Sequence, residues 1–173
     1  MRIVPARWWF AAAALLALAP GVRFWQHYHP RPPLHAGDSM RPIRLSSLNG
    51  SPFTLVASGR PTIINIFATW CEPCRGEAQD VADAARLLAK RGVDVIGIDQ
   101  QESGAQVTRF IDEFALPYPI YIDTTGVTHR IFGARFIPTT ISIDAAGRIE
   151  AIHPGPLTRS ELMSIAKMTG GAG

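Results

Sequence analysis

The spacing of apolar positions changes several times along the chain, and each change marks an element. A continuous apolar run comes first, at residues 8–22 (WWFAAAALLALAPGV). Residues 26–42 (QHYHPRPPLHAGDSMRP) are polar and proline-rich, a composition that predicts a linker. Within residues 43–55 (IRLSSLNGSPFTL), two short strand-like pieces flank Asn49-Gly50, a hairpin signal. Residues 62–69 (TIINIFAT) are almost wholly apolar and rich in β-branched side chains, as in a buried strand. From 74 to 91 the period lengthens: Val81, Ala84, Ala85 and Leu88 recur at helical spacing, and Gly92 stops the helix. A second buried strand is expected over 93–99. A helix with Val107, Phe110, Ile111 and Phe114 on one stripe is expected over 104–116. A strand at 119–123 and a short helix at 126–133 follow, then strands at 139–144 and 148–153 around Ala145-Ala146-Gly147. Thr158 and Glu161 form a capping box for a closing helix over 158–169. Strand–helix alternation followed by a hairpin and a helix predicts one α/β domain over residues 43–170, with a mixed central sheet flanked by helices.

Charge changes the reading of the first run. Arg2 and Arg7 precede it, in the order of the charged and apolar regions of an export signal. Trp8, Trp9 and Trp25 bracket it as interfacial aromatics do. A helix from Trp8 to Trp25 would span about 25 Å, slightly short of a hydrocarbon core of about 30 Å. Ala17 and Ala19 offer a cleavage-like site, but Pro20 follows at once. Residues 1–25 are therefore expected to be a retained anchor, with residues 8–25 in the lipid bilayer; the alternative is a cleaved signal and a secreted domain. Two arginines before the run and Arg23 after it favour a cytoplasmic N-terminus, with the domain in the periplasm or outside the cell.

The net charge of +3 resides in that segment. The first 30 residues hold three arginines and no acid, and the remaining 14 basic residues balance the 14 acidic ones. A neutral domain lacks the concentrated basic face that nucleic acid requires.

The chain has two cysteines, Cys71 and Cys74, just past the end of the apolar strand and at the start of a helix. A structural zinc site wants four Cys or His ligands, and His129 and His153 are far away in sequence. Burial as small hydrophobes accounts neither for the pairing nor for Pro73 between them. Dithiol chemistry accounts for both. Unpaired N–H groups at a helix N-terminus favour the thiolate that attacks a disulfide. Cys74, one turn on, can close the ring and expel a substrate, and Pro73 is tolerated in a first turn.

Trp70-Cys71-Glu72-Pro73-Cys74 after TIINIFAT resembles a thioredoxin-fold active site, and Ile137-Pro138-Thr139-Thr140 resembles the cis-proline loop of that fold. The resemblance covers about residues 43–170. It is closest to the membrane-anchored, extracytoplasmic TlpA/ResA/CcmG group, through the N-terminal hairpin, an inserted helix and strand at about 103–123, and the motif C-E-P-C-x-x-E, which carries over Glu77. The resemblance implies a thioredoxin-like fold and a thiol–disulfide oxidoreductase. It implies no cofactor beyond a redox-active Cys71–Cys74 disulfide, and no metal. Glu77 would handle the proton, because Asn65 stands where thioredoxin has a buried aspartate. Pro138 would be cis, with Ile137 and Thr139 in the loop that meets the substrate chain. Trp70 would be an apolar platform, and Glu72 and Pro73 would face the substrate and tune the dithiol. The implied partners are extracytoplasmic proteins with thiols or disulfides and a membrane thiol electron donor, with the C-x-x-C-H haem site of apocytochrome c as the leading substrate. The alternatives are a disulfide oxidant and a copper-binding chaperone of the Sco type. In the Sco type the cysteines are spaced one residue wider and a histidine is added; His129 here precedes Pro138 by nine positions.

Overall fold

All six residues of β3 (Thr62–Phe67) are buried, which places this strand inside a sheet covered on both faces. The computed structural model describes residues 32–169; the expected anchor and residues 26–31 lie outside the described residues. Around β3 stand β1 (Ile43–Ser46), β2 (Pro52–Leu55), β4 (Asp94–Gln100), β5 (Ile120–Asp123), β6 (Thr139–Ile143) and β7 (Ile149–Pro154). They form one seven-stranded sheet in the order β2-β1-β5-β4-β3-β6-β7. β3–β4 and β4–β5 are parallel, while the β1–β2, β1–β5, β3–β6 and β6–β7 pairs are antiparallel, so the sheet is mixed as expected. Pro52 opens one outer strand and Pro154 ends the other.

Alternation along β3 assigns its two faces. Ile63 packs with Val81, Ala85 and Leu88 of α1 (Glu72–Ala89) and with Leu162 of α4 (Arg159–Met168). Ile64 and Ile66 point the other way, into a cluster with Ile43, Ile98, Ile141 and Phe132 of α3 (Val127–Phe132). Phe67 returns to the α1 face and meets Val107 and Phe110 of α2 (Gly104–Phe114). Among the described residues, no helix is long and apolar enough to cross a membrane.

Three differences from the sequence reading have physical causes. The hairpin turn runs from Ser47 to Ser51, closed by the Ser47 N–H to Ser51 carbonyl bond at 2.8 Å, and is longer than the two-residue turn Asn49-Gly50 suggested. α1 begins at Glu72, two residues early, because Cys71 serves as its N-cap and Pro73 fits the first turn. The third difference corrects the linker. Leu34 is buried against Phe132 and Ile149, and its N–H donates to the Ile131 carbonyl at 2.6 Å. Gly37 N–H donates to Ile149, and Met40 N–H to Gly147. Residues 33–42 therefore belong to the packed domain, which starts about ten residues earlier than expected. Their proline and polar content conceals one buried leucine and a short run of backbone pairing.

Candidate active site

The sheet places the end of β3, the start of α1 and the entry to β6 together. Cys71 and Cys74 form a disulfide there. Cys71 keeps an extended backbone (φ −79, ψ 111), the conformation of an N-cap, and its Sγ accepts from the Cys74 N–H at 3.3 Å. A sulfur that caps a helix by side-chain acceptance is one whose negative charge the helix end favours. Cys71 and Cys74 are 5% and 2% exposed. The Ile137–Pro138 bond is cis, and the Ile137 carbonyl oxygen lies 3.7 Å from Cys71 Sγ. Glu72 and Pro73 sit exposed at the mouth.

The rim is aromatic. Trp70 is 70% exposed, and Phe136, which the sequence reading did not single out, is 71% exposed. Large apolar side chains left this open beside a dithiol suit contact with another chain. Thr139 is different. It is buried, and its hydroxyl donates to the Phe136 carbonyl at 2.6 Å. Its side chain shapes the loop from within, which leaves its backbone as the part of Thr139 that can meet a substrate chain. The Gly155 N–H donates to the Pro138 carbonyl at 2.8 Å and ties the loop to the end of β7.

Glu77 lies one turn beyond Cys74 on α1 and is 4% exposed. Asn65 Nδ2 donates to its Oε1 and the Leu157 N–H to its Oε2, each at 2.8 Å. Burial pushes the carboxyl up to about 7, and the two donors only partly offset this. A groove of about 330 Å³ runs beside it, lined by Pro73, Gly76, Asp80, Pro156 and Leu157. Asn65 thus orients the carboxylate in place of being one. A group titrating near neutrality one turn from a redox cysteine can take or return a proton.

A second set of contacts on the α2 side was not legible in the sequence. Thr69 N–H and Oγ1 donate to the Glu102 carboxylate at 2.6 and 2.7 Å. Arg75 Nη1 donates to the Thr69 carbonyl at 3.3 Å, pairs with Glu113, and stands 5.7 and 5.2 Å from the Phe110 and Phe114 ring centroids. No local pattern links Thr69 to a residue 33 positions away; only the β4–α2 connection brings Glu102 there. His129 is exposed on α3. Among the described residues, no group of three or more His, Cys, Asp or Glu side chains could hold a metal ion.

The chain matches the Redoxin family over residues 35–168. It is 29% identical over 168 residues to the thiol-disulfide oxidoreductase ResA of Halalkalibacterium halodurans, which covers 93% of this chain and 96% of that protein. It is 30% identical over 164 residues to the thioredoxin-like protein YneN of Bacillus subtilis, covering 89% of this chain and 94% of that one. It is also similar to the crystal structure of a thiol:disulfide interchange protein, thioredoxin family protein, from Chlorobium tepidum TLS. That likeness has a TM-score of 0.65 at 29% identity, over 82% of this chain and 98% of the other. These likenesses extend far beyond the two cysteines and their neighbours, across sheet, insertion and closing helix alike. On their strength the chain belongs to the redoxin family and is a thiol–disulfide oxidoreductase built on the thioredoxin fold.

Proposed function

We propose that this oxidoreductase is a membrane-tethered reductase of disulfides in extracytoplasmic proteins, with the C-x-x-C-H site of apocytochrome c as its leading substrate. The observation that carries the reading is a pair of exposed aromatics beside the site along the chain: Trp70 directly precedes Cys71, and Phe136 directly precedes Ile137, whose carbonyl oxygen lies 3.7 Å from Cys71 Sγ. Such a rim suits an extended apolar protein segment better than a small soluble thiol. The resemblance to the TlpA/ResA/CcmG group and the ResA relative support the substrate class.

In the reduced enzyme the Cys71 thiolate attacks one sulfur of a substrate disulfide. A mixed disulfide forms, and the other substrate sulfur leaves as a thiolate and is protonated. Cys74 then gives its proton to Glu77 and attacks Cys71 Sγ, expelling the second substrate thiolate. The substrate gains two electrons and two protons, and the enzyme is left as the Cys71–Cys74 disulfide. A membrane dithiol donor returns the two electrons. Ile137 and Pro138 align the substrate backbone, Trp70 supports its apolar side chains, and Glu72 and Pro73 tune the dithiol from the mouth.

The full chain equilibrated against glutathione buffers is expected to show a potential near about −270 mV, as a dedicated reductase does. A value near about −120 mV belongs to an oxidant and would reverse the proposed direction. The anchor reading rests on residues 8–25. Alkaline extraction of membranes from expressing cells is expected to leave the chain in the pellet. Recovery of a shortened chain in the supernatant would show a cleaved signal instead.

A further inference from the structure

We infer that Glu102 is a positioning residue for Cys71: by taking both hydrogens of Thr69, it fixes the elbow that aims Cys71 Sγ at the Cys74 amide. The inference rests on the reading that Cys71 is the attacking cysteine.

Thr69 lies between the end of β3 and the N-cap of α1, in the two-residue elbow that includes Trp70. Trp70 is largely solvated, so packing does little to hold this elbow. Polar contacts hold it instead. The N–H and hydroxyl of Thr69 both go to Glu102 and its carbonyl receives Arg75, so each of its polar groups has a partner. At 2.6 and 2.7 Å, the two bonds to Glu102 lie at the short end of the hydrogen-bond range. Glu102 is itself braced: its N–H donates to Asp99 Oδ1 at 3.1 Å, and Gln106 Nε2 donates to its Oε1 at 3.2 Å. Ser103 and Gln106 form a capping box that starts α2 beside it. The charged groups facing this clamp are Asp99, fully buried at the end of β4, Arg75, held by Glu113 on α2, and Arg109, which lines the same cleft as Thr69 and Gln106. Burial, and after it the neighbouring Glu102 carboxyl, push the Asp99 carboxyl up to about 8.

The clamp matters most in the reduced enzyme. In the oxidised form the disulfide ring fixes Cys71. Once it opens, the approach of Cys71 Sγ to the Cys74 N–H depends on the backbone before it, which Thr69 governs.

The test is the titration of Cys71 in the reduced full chain. Thiolate absorbance at 240 nm is followed against pH, and brief iodoacetamide labelling with mass spectrometry identifies which cysteine ionises first. Glu102→Ala and Thr69→Val are expected to move the Cys71 midpoint up by about one pH unit, a tenfold loss of thiolate below both midpoints. Glu102→Gln, whose Oε1 still accepts the Thr69 hydroxyl, is expected to move it less. If Glu102 acted only through its charge, Glu102→Ala and Glu102→Gln would both move the midpoint down and Thr69→Val would leave it in place. That pattern, or no movement in any variant, overturns the proposal. Labelling of Cys74 before Cys71 in the parent chain would overturn the attacking-cysteine reading and the proposal with it. Should Glu102→Ala fail to fold, Thr69→Val carries the test, because it changes no charge and almost no volume.

Discussion

Cys74→Ala is expected to stop turnover with the substrate still attached. Its Cys71 thiolate can open a substrate disulfide, but no second thiol lies at hand to release the product. A stable adduct with an oxidised C-x-x-C-H peptide is the expected result, visible as an added mass that dithiothreitol removes. Cys71→Ser is expected to form no adduct and to lower the exchange rate by roughly 10³-fold or more, because the attacking sulfur itself is gone. The asymmetry follows from position. Both sulfurs are nearly buried, but Cys71 Sγ caps the helix and faces the Ile137 carbonyl, whereas Cys74 lies one turn on, inside α1. An adduct on Cys71→Ser and none on Cys74→Ala would reverse the two roles.

Glu77→Gln is expected to make the protein more stable and slower at once. Burial pushes the carboxyl up to about 7 from an ordinary value of 4.5. A folded state that binds a proton more tightly than the unfolded chain is favoured below pH 4.5 and loses that advantage as pH rises through 7. The difference amounts to about 3 kcal/mol by pH 8. Glutamine has no charge to desolvate, and Asn65 can turn its amide to accept from it. Urea unfolding of oxidised Glu77→Gln is therefore expected to show a gain of about 3 kcal/mol at pH 8 and little change at pH 4. Resolution of the mixed disulfide should slow by roughly 10²-fold and lose its inflection near pH 7. An inflection of the same size in Glu77→Gln would remove Glu77 from the proton path.

Much of this site was legible because its signals are local. The apolar run of β3, the two cysteines and the helical stripe of α1 are close in sequence and close in space. Glu77 was legible as a residue one turn from Cys74, but its burial was not. That depends on the Leu157 N–H, 80 positions away, closing over it. Asn65 had been read as a group that cannot titrate, and the structure adds that it orients the one that does. Glu102 escaped notice because its partner Thr69 comes to it through the fold, without any periodic pattern. Phe136 stood next to the expected loop, but a lone aromatic carries no signal of exposure. Leu34 was hidden by composition: the prolines around it read as a tether, while α3 and β7 supply the surface that buries it.

The two outer strands bear on what this enzyme avoids. A protein that works on the disulfides of other chains meets extended segments, and an open sheet edge invites such segments to add as a further strand. Here β2 is only four residues long and begins with Pro52, while β7 has the start of its outer side already paired with Gly37 and Asp38 and ends with Pro154. Proline has no N–H to offer an incoming strand. Both margins of the sheet thus discourage idle capture and self-association, and strand-like pairing is left to the backbone beside Cys71, where it leads to chemistry.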